Sequence, residues 1–172
     1  MGFYPRQRSY RGHVASVGGL PAASAALHRL SMTEDDYHRY IAAFNARDYA
    51  ALETFFADDF VLENAGFRVD GKPAFRAFYA FFHEYCREEV IFRGFYPGKD
   101  GFVANVVIRF TGLRDLSPEV LEARGYSGMT PVPAGVSVDV EFLILYHLDA
   151  SGKIDFIKGA VWVPAEDGAA AG

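Results

Sequence analysis

The chain has 172 residues and a mass of 19.0 kDa, with 51% hydrophobic and 23% charged residues, the proportions of one folded domain and not of a disordered or fibrous chain. A formal charge of −5 offers no basic face to a nucleic acid, no apolar run reaches the roughly 18–20 residues of a membrane span, and the lone Cys86 excludes an internal disulfide and a cysteine metal knuckle. The unusual quantity is the aromatic content, 16% from 16 Phe, 10 Tyr and one Trp, which implies a large core, a deep apolar pocket, or both.

The two ends differ in charge. Residues 1–33 hold Arg6, Arg8, Arg11 and Arg29 and no acid, whereas from Glu34 onward there are 13 basic against 22 acidic residues, a balance of −9. Residues 1–32 read as a tail or arm, 33–165 as a single domain, and 166–172 as a frayed end of small residues. Arginine and serine without acids is a transit-peptide composition, but Gly18-Gly19-Leu20-Pro21 interrupts any long amphipathic helix. The expectation is a cytoplasmic protein, with mitochondrial import through residues 1–31 as the alternative.

Thr33 followed by Glu34-Asp35-Asp36 predicts a helix N-terminus, with a capping hydroxyl and acids at the positive end of the dipole. Tyr37, Tyr40, Ile41 and Phe44 continue it with helical spacing. Asp48 caps a shorter helix containing Leu52 and Phe55. Asp59–Asn64 reads as a strand, with Asp58-Asp59 capping the turn before it. After a turn at Gly71, Pro73 starts a third helix whose apolar face is Phe75, Phe78, Tyr79, Phe82 and Tyr85 or Cys86. Beyond Arg87 the period changes to two, giving strands over 90–96, 101–111, 136–148 and 153–163. Between the middle two lies a long segment, 112–135, containing a short helix that opens at Ser117-Pro118-Glu119 and ends at Gly125. Helices followed by an antiparallel meander predict an α+β fold, with N-terminal helices packed on a curved, mostly antiparallel sheet.

This order resembles the nuclear transport factor two-like cone fold, whose members include ketosteroid isomerase and the SnoaL-like polyketide cyclases. The likeness covers roughly 34–164. It is carried by Arg39-Tyr40-Ile41, by the run from Phe56 to Asn64, by Gly71-Lys72 leading to Ala77-Phe78-Tyr79, and by Gly152-Lys153-Ile154 after Asp149. By the resemblance, the isomerase's proton-moving carboxylate falls at Asn64 and its second acid at Ile144, while its two supporting tyrosines fall at Tyr40 and Tyr79. An amide can orient and polarise but cannot accept a proton at neutral pH, so steroid isomerisation by that route is not expected. The family commonly dimerises through its sheet.

If Ile144 faces the cavity, alternation places Val140, Phe142, Tyr146 and Leu148 beside it and Asp139, Glu141, Leu143, Leu145 and His147 outside. An outer face of acids, leucines and a histidine suits a homodimer interface. Arg109 and Glu141 then pair across strands on that face; a register slip of one residue would instead turn them inward as an acid and its orienting base. Candidate catalytic groups are Tyr40, Asn64 and Tyr79, with Glu63, Arg109 and Glu141 as lesser acid/base candidates. The substrate-binding wall is expected from Tyr37, Phe44, Phe56, Phe60, Phe82, His83, Phe142, Tyr146 and Trp162. Each aromatic residue could equally be core, and His83 could be a surface histidine. No metal-ligand spacing and no cofactor motif are present.

The function expected is a cofactor-independent isomerase, cyclase or dehydratase of natural-product type, acting on a hydrophobic polycyclic small molecule. The alternative is a non-catalytic module that binds a lipophilic ligand or a protein partner. Segment 112–135 is expected to be a lid over the cavity mouth, with Gly125, Gly128 and Gly135 as flexible points, or else part of the dimer contact.

Overall fold

The computed structural model describes residues 32–64 and 66–162; the expected tail and frayed end, and any import signal within 1–31, lie outside the described residues. Helix α1 (Glu34–Asn45) opens with the predicted cap: the Thr33 hydroxyl accepts from the Asp36 N–H and the Asp36 carboxylate reaches back to the Thr33 N–H. Asp48 caps the four-residue α2 (Tyr49–Leu52), its side chain accepting from the Ala51 N–H. A turn of 3₁₀ helix leads into β1 (Phe56–Asn64), β2 (Phe67–Asp70) and α3 (Gly71–Tyr85). Then come β3 (Cys86–Pro97), β4 (Gly101–Gly112), α4 (Pro118–Ala123), β5 (Ser137–Leu148) and β6 (Ile154–Val161).

The strands form one six-stranded sheet in the order β2-β1-β6-β5-β4-β3. All pairings are antiparallel except β1 with β6, which run parallel. The α+β class stands. Two details of the expectation change. The segment after Asn64 is not only a turn, because Phe67–Asp70 returns as a short edge strand. Asp58 and Asp59 lie within β1 and do not cap a turn before it; both are exposed, and Asp58 meets Lys72 at 2.7 Å.

The helices cover one face of the sheet, and period two decides what they cover. On β4, Phe102, Ala104, Val106 and Ile108 are buried; on β5, Phe142, Tyr146 and Leu148 are buried, while Leu143 and Leu145 are exposed. For β5 this is the predicted assignment of faces. From β1 come Phe60 and Leu62, and from the helices Tyr37, Ile41, Phe44, Phe75, Phe78 and Phe82. Edge-to-face and stacked rings, such as Phe56 on Phe60 at 4.2 Å and Phe102 on Tyr146 at 4.5 Å, hold this core together.

The register corrects one expected pair. Arg109 stands opposite Asp139, not Glu141, and donates to its carboxylate through Nε and Nη2 at 2.8 and 2.9 Å. Glu141 instead accepts from the Asn105 amide at 2.7 Å. Both acids remain on the outer face, so neither Arg109 nor Glu141 belongs to the cavity.

Candidate active site

A cavity of about 100 Å³ lies between α1, α3 and the inner face of the sheet. Tyr40 and Phe44 enter it from α1, Phe78, Tyr79 and Phe82 from α3, and Leu62 and Asn64 from the end of β1. The far wall is built by Glu88 and Val90 of β3, Ile108 and Phe110 of β4, Ile144 and Tyr146 of β5, and Ile157 and Gly159 of β6. Met129, from the segment between β4 and β5, and Phe67 of β2 complete it. Of the sequence-predicted residues, Tyr40, Phe44, Asn64, Tyr79, Phe82, Tyr146 and Glu63 are therefore brought together.

The others are not. Tyr37, Phe56 and Phe60 are almost fully buried in solid core and off the cavity wall, because their rings pack against one another and against Phe75 and Phe102. Phe142 is on the inner face as expected, yet it faces Phe110 and does not line the cavity. Trp162 is 56% exposed just past the end of β6, where its N–H donates to the Glu141 carbonyl. His83 is neither a surface histidine nor a wall residue: its side chain is 7% exposed and lies behind the wall, against Glu88.

The tyrosines of the cavity share their hydroxyls. Tyr37 and Tyr146 are 3.1 Å apart, oxygen to oxygen, and the Tyr40 hydroxyl also engages that of Tyr146. Burial pushes the Tyr37 phenol up to about 12, against the pull of its bond to Tyr146. Tyr40 and Tyr146 are raised further, first by burial and then by their neighbouring phenols. Tyr79 is raised by burial and then by the nearby Glu88. All four are hydrogen-bond donors that do not ionise at neutral pH.

Asn64 ends β1 with its amide over Gly159, where a Cβ would come within 2.9 Å of its oxygen; the glycine makes room for it. Glu63, at the rim, is held by Arg68 at 2.6 Å and faces Lys158 at 3.7 Å. It is an ion-paired carboxylate, partly open to solvent.

The residue that sequence reasoning missed is Glu88. Its side chain is 7% exposed, and its Oε2 is buried with no hydrogen-bond partner among the described residues. His83 Nε2 stands 3.4 Å from that oxygen, longer than a normal hydrogen bond. Burial raises the Glu88 carboxyl above the ordinary range, while His83 and, more weakly, Arg47 pull it down. The signal was the parity of β3. Extending the alternation back from Phe92 and Val90 reaches Glu88 and Cys86 on the inner face, opposite Phe110 and Gly112.

The segment between β4 and β5 is tied at its base by the Leu116–Val132 bridge and by buried Leu116, Leu121 and Val132. Tyr126 packs on Phe67, Phe78 and Phe81. At the tip, Gly128 meets Gly66 backbone to backbone: a Cβ on either would lie 2.6–2.7 Å from the other's Cα. Gly66 also has φ +84°, so only glycine fits there without strain. Among the described residues no group of three His, Cys, Asp or Glu could hold a metal ion, and no helix is long and apolar enough to cross a membrane.

Several solved structures share this architecture. A candidate polyketide cyclase from a Silicibacter species is 22% identical, with a TM-score of 0.60, over 75% of this chain and 88% of that one. Another from Pseudomonas putida is 21% identical, with a TM-score of 0.58, over 72% and 86%. A Mycobacterium tuberculosis protein in complex with estradiol-17β-hemisuccinate is 19% identical, with a TM-score of 0.54, over 74% and 90%. No curated protein matches the sequence. Residues 37–156, most of the chain, match the SnoaL-like domain, and the protein belongs to that family, with the nuclear transport factor two-like fold its sequence resembles.

Proposed function

We propose that the protein is an acid–base enzyme acting on a hydrophobic, carbonyl-bearing small molecule, by isomerisation, cyclisation or dehydration. The observation that carries this reading is a carboxyl, Glu88, in the wall of a largely apolar cavity, with its Oε2 buried and only the His83 ring, at 3.4 Å, facing it. A carboxyl whose proton is held more tightly by burial can donate it to a developing oxyanion or a departing hydroxyl and take one back from carbon. Tyr40 and Tyr79 supply further donors for the same oxygen, and Asn64 orients it from the opposite end. Such proton transfers need no cofactor. The fold's neighbours are consistent with the ligand class, since one holds a steroid ester and another polyporic acid.

Size limits the substrate. About 100 Å³ is well below the roughly 300–1,000 Å³ of pockets that enclose drug-sized ligands. A single ring fits as the cavity stands; a polycyclic molecule enters only if the Gly128–Met129 tip lifts from Gly66. The β4–β5 segment is thus a lid in this reading. Homodimerisation belongs to the outer face of the sheet, where Leu143 and Leu145 are exposed.

The test is incubation in D2O with a panel of cyclic ketones, from one-ring to steroid-sized, followed by NMR. Deuterium should appear beside the carbonyl with wild type and not with Glu88→Gln, while both bind. Binding by wild type without any exchange or turnover would leave the non-catalytic ligand-binding module as the correct reading.

A further inference from the structure

A line of polar groups leads away from Glu88 on the side opposite the cavity. Glu88 Oε2 faces His83 Nε2 at 3.4 Å, and the other ring nitrogen, Nδ1, is hydrogen-bonded to the Tyr49 hydroxyl at 2.8 Å. Glu88 and His83 are closed from solvent, whereas Tyr49 is only half-buried. Three elements, β3, α3 and α2, thus each contribute one group, and the Asp48 cap fixes Tyr49 as the first residue of α2. Tyr79 packs on the His83 ring with centroids 5.2 Å apart, and Tyr49 stacks on it at 6.4 Å, so the imidazole is held in place.

The other titratable groups that act on Glu88 or feel its charge are the Tyr40 and Tyr79 phenols, the Cys86 thiol and the Arg47 guanidinium. Burial keeps the phenols and the thiol protonated, and a guanidinium does not give up its proton. Among these neighbours, His83 is the one with a ring nitrogen able to take a proton from the carboxyl.

We propose that Glu88, His83 and Tyr49 form a proton relay between the cavity and solvent, in which His83 and Tyr49 are positioning residues that reset the carboxyl. The proposal rests on the reading of Glu88 as the acid–base group of the cavity. Outward, the Glu88 O–H proton passes to His83 Nε2, the Nδ1–H proton passes to the Tyr49 oxygen, and the Tyr49 O–H proton passes to water. Glu88 is left as a carboxylate, the imidazole has changed tautomer and remains neutral, Tyr49 is unchanged, and water carries the proton away. The same transfers in reverse reprotonate the carboxyl. The transfer requires that the 3.4 Å gap close to hydrogen-bonding distance, by rotation of the Glu88 side chain. With a ligand in the cavity and Met129 across its mouth, this rear path lets the carboxyl change charge while the front is closed.

Rapid-mixing infrared spectroscopy in D2O tests the relay. At about pH 5, where an ordinary glutamate is mostly ionised, the C=O stretch of a protonated carboxyl should be present in wild type and missing in Glu88→Gln, which assigns it. Its shift on deuteration times the exchange of that one proton. Tyr49→Phe and His83→Gln should each keep the band and slow its exchange by at least about tenfold. A residue that served only to pack the site would, when changed, leave exchange the same or speed it by loosening the wall. Exchange as fast as wild type in either folded variant overturns the relay and leaves Glu88 in its catalytic role. Absence of the band in wild type overturns both.

Discussion

The inner face of the protein has two ends built from the same kinds of side chain. At one, Tyr37 packs on Phe102, and Phe56, Phe60 and Phe75 pack on one another, ring against ring. At the other, Tyr40, Phe44, Tyr79 and Phe82 surround a cavity. Aromatic content alone does not separate them. The difference is the polar residue: Glu88 and Asn64 line the wall only at the second end, and the buried Glu88 Oε2 is costly to pack over with rings.

The largest effect expected from this contrast is at the closed end. Phe60→Ala should cost about 3–5 kcal/mol in urea unfolding, the usual toll of a truncated buried ring. Phe44→Ala, whose ring already borders open space and makes fewer contacts on that side, should cost about 1 kcal/mol less. Equal losses would mean that the two ends are one continuous core.

Glu88→Gln sharpens the comparison through pH. The folded carboxyl is raised above its unfolded value near 4.5. Below about pH 4.5 both states are protonated and the group is neutral to stability. As pH climbs from there toward the folded value, the folded state binds the extra proton and wild type loses stability. The thermal midpoint of wild type should therefore fall relative to Glu88→Gln as pH rises from 4 to 8. A constant gap would mean that the carboxyl is not held protonated by the fold.

A smaller effect is expected of Tyr37→Phe, which takes from Tyr146 one of its two phenol partners: about 1 kcal/mol by denaturant titration, with no change in the cavity. Smallest is Arg109→Ala on the outer face. Its bond to Asp139 is nearly half exposed, so the change should barely move the unfolding midpoint, and what shift there is should vanish at high salt. A larger, salt-resistant loss would place that face against a partner.

How far the sequence could be read follows from what each kind of pattern encodes. Alternation assigned residues 139–148 of β5 to their correct faces, since a strand's period does not depend on its partners. The partners themselves were not legible: Arg109 meets Asp139 because the length and path of the β4–β5 segment set the register, and a two-residue shift keeps the faces while changing every pair. Glu88 escaped because the strand was read as starting at Val90, when β3 in fact begins at Cys86. Hydrophobic periodicity cannot mark a buried charge. Trp162 failed for a simpler reason: β6 stops at Val161. Resemblance placed Tyr40, Asn64 and Tyr79 together at the cavity, which spacing alone could not have done.

The parallel pairing of β1 with β6 has a consequence for how the molecule is made. Residues 56–64 leave the ribosome early, yet the strand that occupies the space between them and β5 is drawn from residues 154–161. Until that last segment is available, β1 and β5 both present unpaired backbone edges, and the rings of the inner face have no closed sheet to cover them. Loop closure over roughly ninety residues is also slow compared with hairpin formation. The nascent chain therefore passes through a stage in which its helices and the β3–β4–β5 meander can exist and its cavity cannot, and it is in that interval that it most needs protection from aggregation.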